Sequence, residues 1–182
     1  MPHTIRKIGV VGAGQMGNGI AHVCALSGFH VLLNDVVADR ISAGIATING
    51  NLARQVSRQR ISDEERQAAI KRITPANTID ELGDCDLVIE AATEQEDVKR
   101  KIFAALCPAL KPATIVGTNT SSISITRLAA ATDRPERFIG IHFMNPVPLM
   151  ELVEVIRGIA TDDATFEATK QFITKLGKQI AV

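Results

Sequence analysis

His142 and Glu154, twelve positions apart, flank a proline-bearing segment in the run FIGIHFMNPVPLMELVEV. An imidazole beside a carboxylate makes an acid–base centre, because the carboxylate fixes the ring tautomer and stabilises the protonated form. Such a pair suits removal of a hydroxyl proton while a hydride leaves the same carbon. The same residues also fit a structural histidine at a sheet edge with a solvent-facing glutamate on the next strand. Residue types alone divide evenly between the two. His3, His22 and His30 have no comparable setting.

A second chemistry-bearing feature stands near the start of the chain. Gly12-Ala-Gly14-Gln15-Met16-Gly17 follows a short apolar run and opens an amphipathic stretch, the strand–turn–helix setting a dinucleotide fingerprint requires. Gly12 permits the turn, Gly14 lets backbone approach a pyrophosphate, and Gly17 lets helix and strand pack closely. Gln15 and Met16 open the helix, whose free N–H groups and positive dipole end face the phosphates. Asp35 ends the next apolar run, placed to bond the adenosine ribose hydroxyls and to repel a 2′-phosphate. No arginine follows it in Asp35-Val36-Val37. The pattern predicts NAD rather than NADP as cofactor, against the plainer reading of a glycine-rich turn and a strand-ending aspartate.

The elements that must position these residues alternate between strand and helix signals. They predict an α/β fold, a doubly wound and mainly parallel sheet of Rossmann type. Strands are expected at 7–11, 31–34, 73–78, 87–91, 114–117, 138–142, 152–156 and 179–182, with helices from Gln15 and over 97–110, 123–131 and 162–176. In such a sheet, ligands bind beyond the carboxyl ends of the strands. His142 lies at that edge, as do Asn119 and Ser121 just after the 114–117 strand. The 144–150 loop is too short for a crossover helix, so the strand after it should turn back antiparallel. Pro148 is then the midpoint, which sets Glu154 roughly opposite His142.

Residues 38–72 exceed what one crossover helix needs. Ile41, Ile45, Ile48, Leu52 and Val56 form a helical stripe that runs through Asn49-Gly50, a dipeptide that usually marks a turn. Ser62 and Glu65 form a capping-box pattern for a second helix. The pair predicts a helical hairpin projecting from the sheet.

Composition narrows the classes. The 182 residues are 46% hydrophobic and 22% charged, with zero formal net charge, the profile of a soluble globular domain. Zero charge removes the electrostatic case for nucleic acid or an anionic membrane. Arg54, Arg58 and Arg60 are a local patch rather than a polybasic tract. Cys24, Cys85 and Cys107 are odd in number and widely spaced, so reduced thiols in a cytoplasmic protein are expected, with no metal site. Residues 1–7 lead straight into a strand with no signal-peptide apolar region, and no apolar run approaches membrane-spanning length.

The segments GAGQMGNGIA, IEAATE, NTSS and HFMNPVPLMELVEV together resemble the L-3-hydroxyacyl-CoA dehydrogenases, and the bacterial 3-hydroxybutyryl-CoA branch fits best. The resemblance runs along essentially the whole chain. It implies NAD-dependent oxidation of a 3-hydroxyacyl-CoA, or the reverse, with His142 as general base and Glu154 as its orienting partner. It further implies that Ser121 binds the substrate oxygen, that Asn145 sits near the nicotinamide, and that Glu94 and Lys99 contact NAD; an exposed helical pair is the alternative for those two. The hairpin matches the element that holds coenzyme A, where Asn51 and Arg58 stand in place of the family's usual serine and lysine. Family members continue into an all-helical domain that closes the cleft and makes a homodimer. Residues 1–182 are therefore expected to be the NAD-binding domain of a truncated chain, able to bind cofactor and weak in turnover. The rival readings are a sugar-acid dehydrogenase of gulonate type, a lambda-crystallin relative, or a non-catalytic NAD-binding module.

Overall fold

A computed structural model describes residues 3–182; Met1 and Pro2, the start of the segment expected to lead into the first strand, lie outside the described residues. Eight strands form one sheet: β1 (Lys7–Val11), β2 (His30–Asn34), β3 (Ile73–Ala76), β4 (Leu87–Glu90), β5 (Ile115–Thr118), β6 (Phe138–Phe143), β7 (Leu152–Arg157) and β8 (Gln179–Ala181), in spatial order β3-β2-β1-β4-β5-β6-β7-β8. From β3 to β6 every pairing is parallel, β7 returns antiparallel to β6, and β8 runs parallel to β7. The order reverses between β1 and β4. A crevice forms outside the carboxyl ends of the strands at such a switch point.

Helices cover both faces. On one side α1 (Gln15–Leu26), α2 (Ala38–Ser57), α3 (Asp63–Lys71) and α6 (Asp163–Lys175) share a core in which Ile20, Leu33, Ile48, Leu52 and Ile173 are buried and Phe29 meets Phe172 edge-on at 5.4 Å. On the other, α4 (Glu96–Leu106) and α5 (Ile125–Ala129) bury Phe103, Leu106 and Leu128, with Phe103 edge-on to Phe138 at 5.1 Å. Because each central strand is covered on both faces, β4 and β5 read as continuous apolar runs rather than alternating ones.

The long helix survives Asn49-Gly50. Ile41, Ile48 and Leu52 are buried along its stripe, and the Asn49 side chain accepts a hydrogen bond from Arg66 of α3 at 2.9 Å. The capping box at α3 forms in full, Ser62 Oγ accepting from the Glu65 amide and Glu65 Oε2 from the Ser62 amide. The helix expected over 97–110 is shorter. α4 ends at Leu106 and a single 3-10 turn follows at Cys107–Ala109, where Pro108 has no N–H to continue the ladder.

Candidate active site at the carboxyl edge

The fingerprint turn is built by steric exclusion. Gly12 has φ +104°, and a Cβ there would meet the Ala91 carbonyl oxygen at 2.7 Å; a Cβ on Gly17 would lie 1.6 Å from the Gly12 carbonyl oxygen. Only hydrogen at both positions lets the turn, the start of α1 and the loop after β4 meet. Gly14, by contrast, faces open space. As N-cap of α1 it offers no side-chain acceptor, and the first turn carries no acidic residue. The first N–H groups of α1 therefore have neither a cap nor an internal carboxylate to answer them, which suits a phosphate. Asp35 directly follows β2, with Oδ2 on the Ala13 amide and Oδ1 on the Val37 amide, both at 3.0 Å. This pins the carboxylate beside the glycine turn with lone pairs left to accept from ribose hydroxyls. The residues present fit a dinucleotide.

Antiparallel pairing sets the acid–base centre. His142 of β6 stands directly opposite Glu154 of β7, and His142 Nδ1 lies 2.8 Å from Glu154 Oε2. Glu154 occupies Nδ1, which leaves Nε2 as the nitrogen free for chemistry. The imidazole is largely covered at 19% exposure, while the glutamate is 44% exposed. A cleft of about 430 Å³ joins His142 to the fingerprint; Gly14, Gln15, Met16, Glu94, Lys99, Asn119, Ser121, His142 and Asn145 all line it.

Behind the cleft lies a polar scaffold. Asn119 Oδ1 accepts from the Phe143 amide at 2.8 Å, tying the end of β5 to the end of β6. Glu94 Oε1 takes hydrogen bonds from the Ser121 amide at 2.5 Å and the Ser121 hydroxyl at 2.7 Å, and the Thr120 hydroxyl reaches Glu94 Oε2 at 3.0 Å. Partial burial pushes the Glu94 carboxyl up, but the Ser121 and Thr120 donors, helped by the Lys99 charge, outweigh it and hold the group below the usual carboxylate range. Ser121 keeps its oxygen lone pairs. To donate to a ligand, its hydroxyl must turn away from Glu94.

Lys99 is not an exposed helical residue. It is 1% exposed, with Nζ 2.5 Å from Glu90 Oε1, 3.4 Å from Thr118 Oγ1 and 3.8 Å from Glu94 Oε2. Glu90, fully buried at the end of β4, also accepts from Thr118 Oγ1 at 2.7 Å and the Ala92 amide at 2.9 Å. Sequence reasoning overlooked this pair as a unit. One signal was available: Lys99, Phe103 and Leu106 share a helix face, and that face is buried.

Asn51 and Arg58 stand outside the His142 cleft. A groove of about 440 Å³ between α2 and the proline loop is lined by Asn51, Arg54, Arg58, Arg60 and Lys178. Asn51 also borders a cavity of about 480 Å³ that extends past Gly14 and Gln15 to Asn145, and Asn145 in turn lines the His142 cleft. Asn51 Oδ1 accepts from Arg54 of the same helix. The three spaces share lining residues, a path suited to a long ligand with a charged end. The thiols take no part: Cys24, Cys85 and Cys107 are buried and unbridged, and burial pushes Cys107 up to about 11.

Comparison with known proteins agrees with this geometry. Residues 7–182 match the family model described as 3-hydroxyacyl-CoA dehydrogenase, NAD binding domain. A 3-hydroxybutyryl-CoA dehydrogenase of Bradyrhizobium diazoefficiens is 71% identical over 182 residues, covering 100% of this chain and 62% of that protein. The crystal structure of (S)-3-hydroxybutyryl-CoA dehydrogenase from Ralstonia eutropha superposes with a TM-score of 0.95 at 44% identity, covering 97% of this chain and 62% of that one. The 3-hydroxybutyryl-CoA dehydrogenase structure from Escherichia coli K12 gives a TM-score of 0.95 at 42% identity, covering 97% of this chain and 38% of that one. The chain thus spans about three-fifths of the length of the first two.

Proposed function

The chain belongs to the 3-hydroxyacyl-CoA dehydrogenase family through its NAD-binding domain, and from that premise we propose that it carries the cofactor site and acid–base pair of a (S)-3-hydroxybutyryl-CoA dehydrogenase. The observation that carries this reading is the 2.8 Å His142–Glu154 contact, whose histidine lines the same cleft as the glycine fingerprint. NAD, when bound, supplies the hydride acceptor for alcohol oxidation and the donor for the reverse. Asp35 holds the adenosine ribose, the first turn of α1 the pyrophosphate, and Glu94, Lys99 and Asn119 shape the nicotinamide side.

In the oxidation direction His142 Nε2 takes the proton of the 3-hydroxyl as the hydride leaves the carbon bearing it. Glu154 accepts from Nδ1–H and stabilises the imidazolium that forms. Ser121, turned from Glu94, donates to the substrate oxygen, and Asn145 lies beside the reacting carbon. The coenzyme A moiety follows the neighbouring spaces to Asn51 and Arg58, where the guanidinium meets a phosphate. In this reading residues 1–182 act as one cofactor domain with the 38–72 hairpin as its acyl-CoA element, working in the cytoplasm as part of a homodimer when joined to a helical domain, with no nucleic-acid or membrane partner. Among the described residues no helix is long and apolar enough to cross a membrane.

The test is NADH oxidation with acetoacetyl-CoA, run on this chain alone and on the same chain extended to the length of its relatives, with L-gulonate and NAD as the competing pair. His142→Gln should lower turnover of the extended protein by about 10²–10⁴-fold while NADH binding is kept. Turnover that survives the substitution, or a preference for L-gulonate, would overturn the assignment.

A further inference from the structure

The loop between β6 and β7 is the shared wall of the three neighbouring spaces. Asn145 lines the His142 cleft and the neighbouring cavity, and Pro146 and Pro148 line that cavity and the arginine groove. Its own hydrogen bonding is sparse: the Pro146 carbonyl accepts from the Leu149 and Met150 amides, each at 3.0 Å. Two groups hold it from outside. On one side Val147, 2% exposed, sits against α1 where residue 19 has no side chain; a Cβ on Gly19 would lie 2.9 Å from Val147 Cβ. On the other side Lys178, just after α6, donates from Nζ to the Val147 and Met150 carbonyls, both at 2.7 Å. The Gln179 amide extends the attachment to the Glu151 carbonyl at 2.9 Å.

We infer that Lys178 is a positioning residue: by bridging two carbonyls of one loop while Gly19 receives Val147, it sets where Asn145 stands over the nicotinamide side of the cleft. An ammonium has three donors, and spending two on a single loop fixes that loop's turn as well as its distance from β8. Truncation would release both carbonyls at once. Lys178 borders the arginine groove but not the His142 cleft, so any effect it has on the nicotinamide side runs through the loop. The inference rests on the cofactor reading of the cleft above.

Two measurements test it, one of them independent of cofactor. Amide hydrogen exchange should accelerate at Leu149 and Met150 in Lys178→Met while β6 amides keep their protection. NADH titrated by its own fluorescence should bind Lys178→Met roughly tenfold more weakly, about one contact's worth of free energy. ADP-ribose, which lacks the nicotinamide, should bind both proteins within about twofold, and Lys178→Arg should recover most of the NADH affinity. Gly19→Ala, which pushes Val147 outward from the opposite side, should show the same selective loss, and it decides the matter if Lys178→Met does not fold. Unchanged exchange at Leu149 and Met150, or equal weakening of NADH and ADP-ribose, would overturn the inference. A wild-type chain that fails to bind NADH would instead sink the cofactor reading and leave the exchange experiment to judge the tether.

Discussion

Removing either charge of the Glu90–Lys99 pair should cost more than removing both. The two groups are 0% and 1% exposed and 2.5 Å apart, beneath the loop that carries Glu94. Breaking a buried pair by deleting one partner costs about 3–5 kcal/mol, because the survivor is left buried and uncompensated. In Lys99→Met, Glu90 keeps the Thr118 hydroxyl at 2.7 Å and the Ala92 amide at 2.9 Å. Those two donors place the loss near the lower end, about 3 kcal/mol. In Glu90→Leu, the ammonium retains only Thr118 at 3.4 Å and Glu94 at 3.8 Å. That loss belongs near the upper end, about 4–5 kcal/mol. The double variant removes both desolvated charges and should lie within about 1 kcal/mol of wild type. For a chain of this size, 3 kcal/mol corresponds to a midpoint fall of roughly 6–12 °C. The chain has no Trp or Tyr, so urea and thermal unfolding are best followed by far-UV circular dichroism. Single losses below about 1 kcal/mol, or losses that add in the double variant, would refute the placement of Lys99 beside Glu90.

Two further outcomes follow from the geometry. Gly17→Ala places a methyl carbon 1.6 Å from the Gly12 carbonyl oxygen, so the turn must move; calorimetry should show NADH affinity reduced by more than about tenfold with stability lowered by about 2 kcal/mol or more, and wild-type binding would show that the turn tolerates a side chain. Burial, opposed by the hydrogen bond His22 Nε2 donates to Gln55 Oε1 and aided by the Lys178 charge, holds the His22 pKa below its ordinary value. The folded state thus binds its proton less readily than the unfolded chain, so His22 favours folding above about pH 6.5 and that contribution is lost as pH falls through the lowered folded value. Urea midpoints should drop for wild type between pH 7 and 5 and drop less for His22→Asn; parallel pH profiles would exclude His22 as the source.

How much of this was legible in the sequence depended on whether the determining contact was local. The antiparallel return of β7 could be read from a loop too short for a crossover, and the loop midpoint at Pro148 sufficed to bring Glu154 to His142. The capping box at Ser62 was equally local. Gly50 shows propensity yielding to packing, since Ile48 and Leu52 on either side are fully buried. Lys99 was harder. In TEQEDVK it looks like one charge among several, and its partner Glu90 lies in a strand that otherwise reads as plain apolar core. Only the sheet and α4 together bring the two beneath one loop. Lys178 carried no signal at all: its targets are backbone carbonyls some thirty positions earlier, and carbonyls have no sequence identity.

The site therefore divides into walls of different origin. The fingerprint wall is rigid because glycines remove the atoms that would collide, and the acid–base wall is rigid because a ladder register fixes two side chains face to face. The third wall, the proline loop, lies outside the strand ladder and is held by the Lys178 ammonium, the Gln179 amide and the seat of Val147 against Gly19. Local opening draws on segments with few backbone bonds and few buried contacts. On the positioning proposed for Lys178, its two hydrogen bonds and the seat of Val147 decide how far Asn145 can shift at the edge of the His142 cleft.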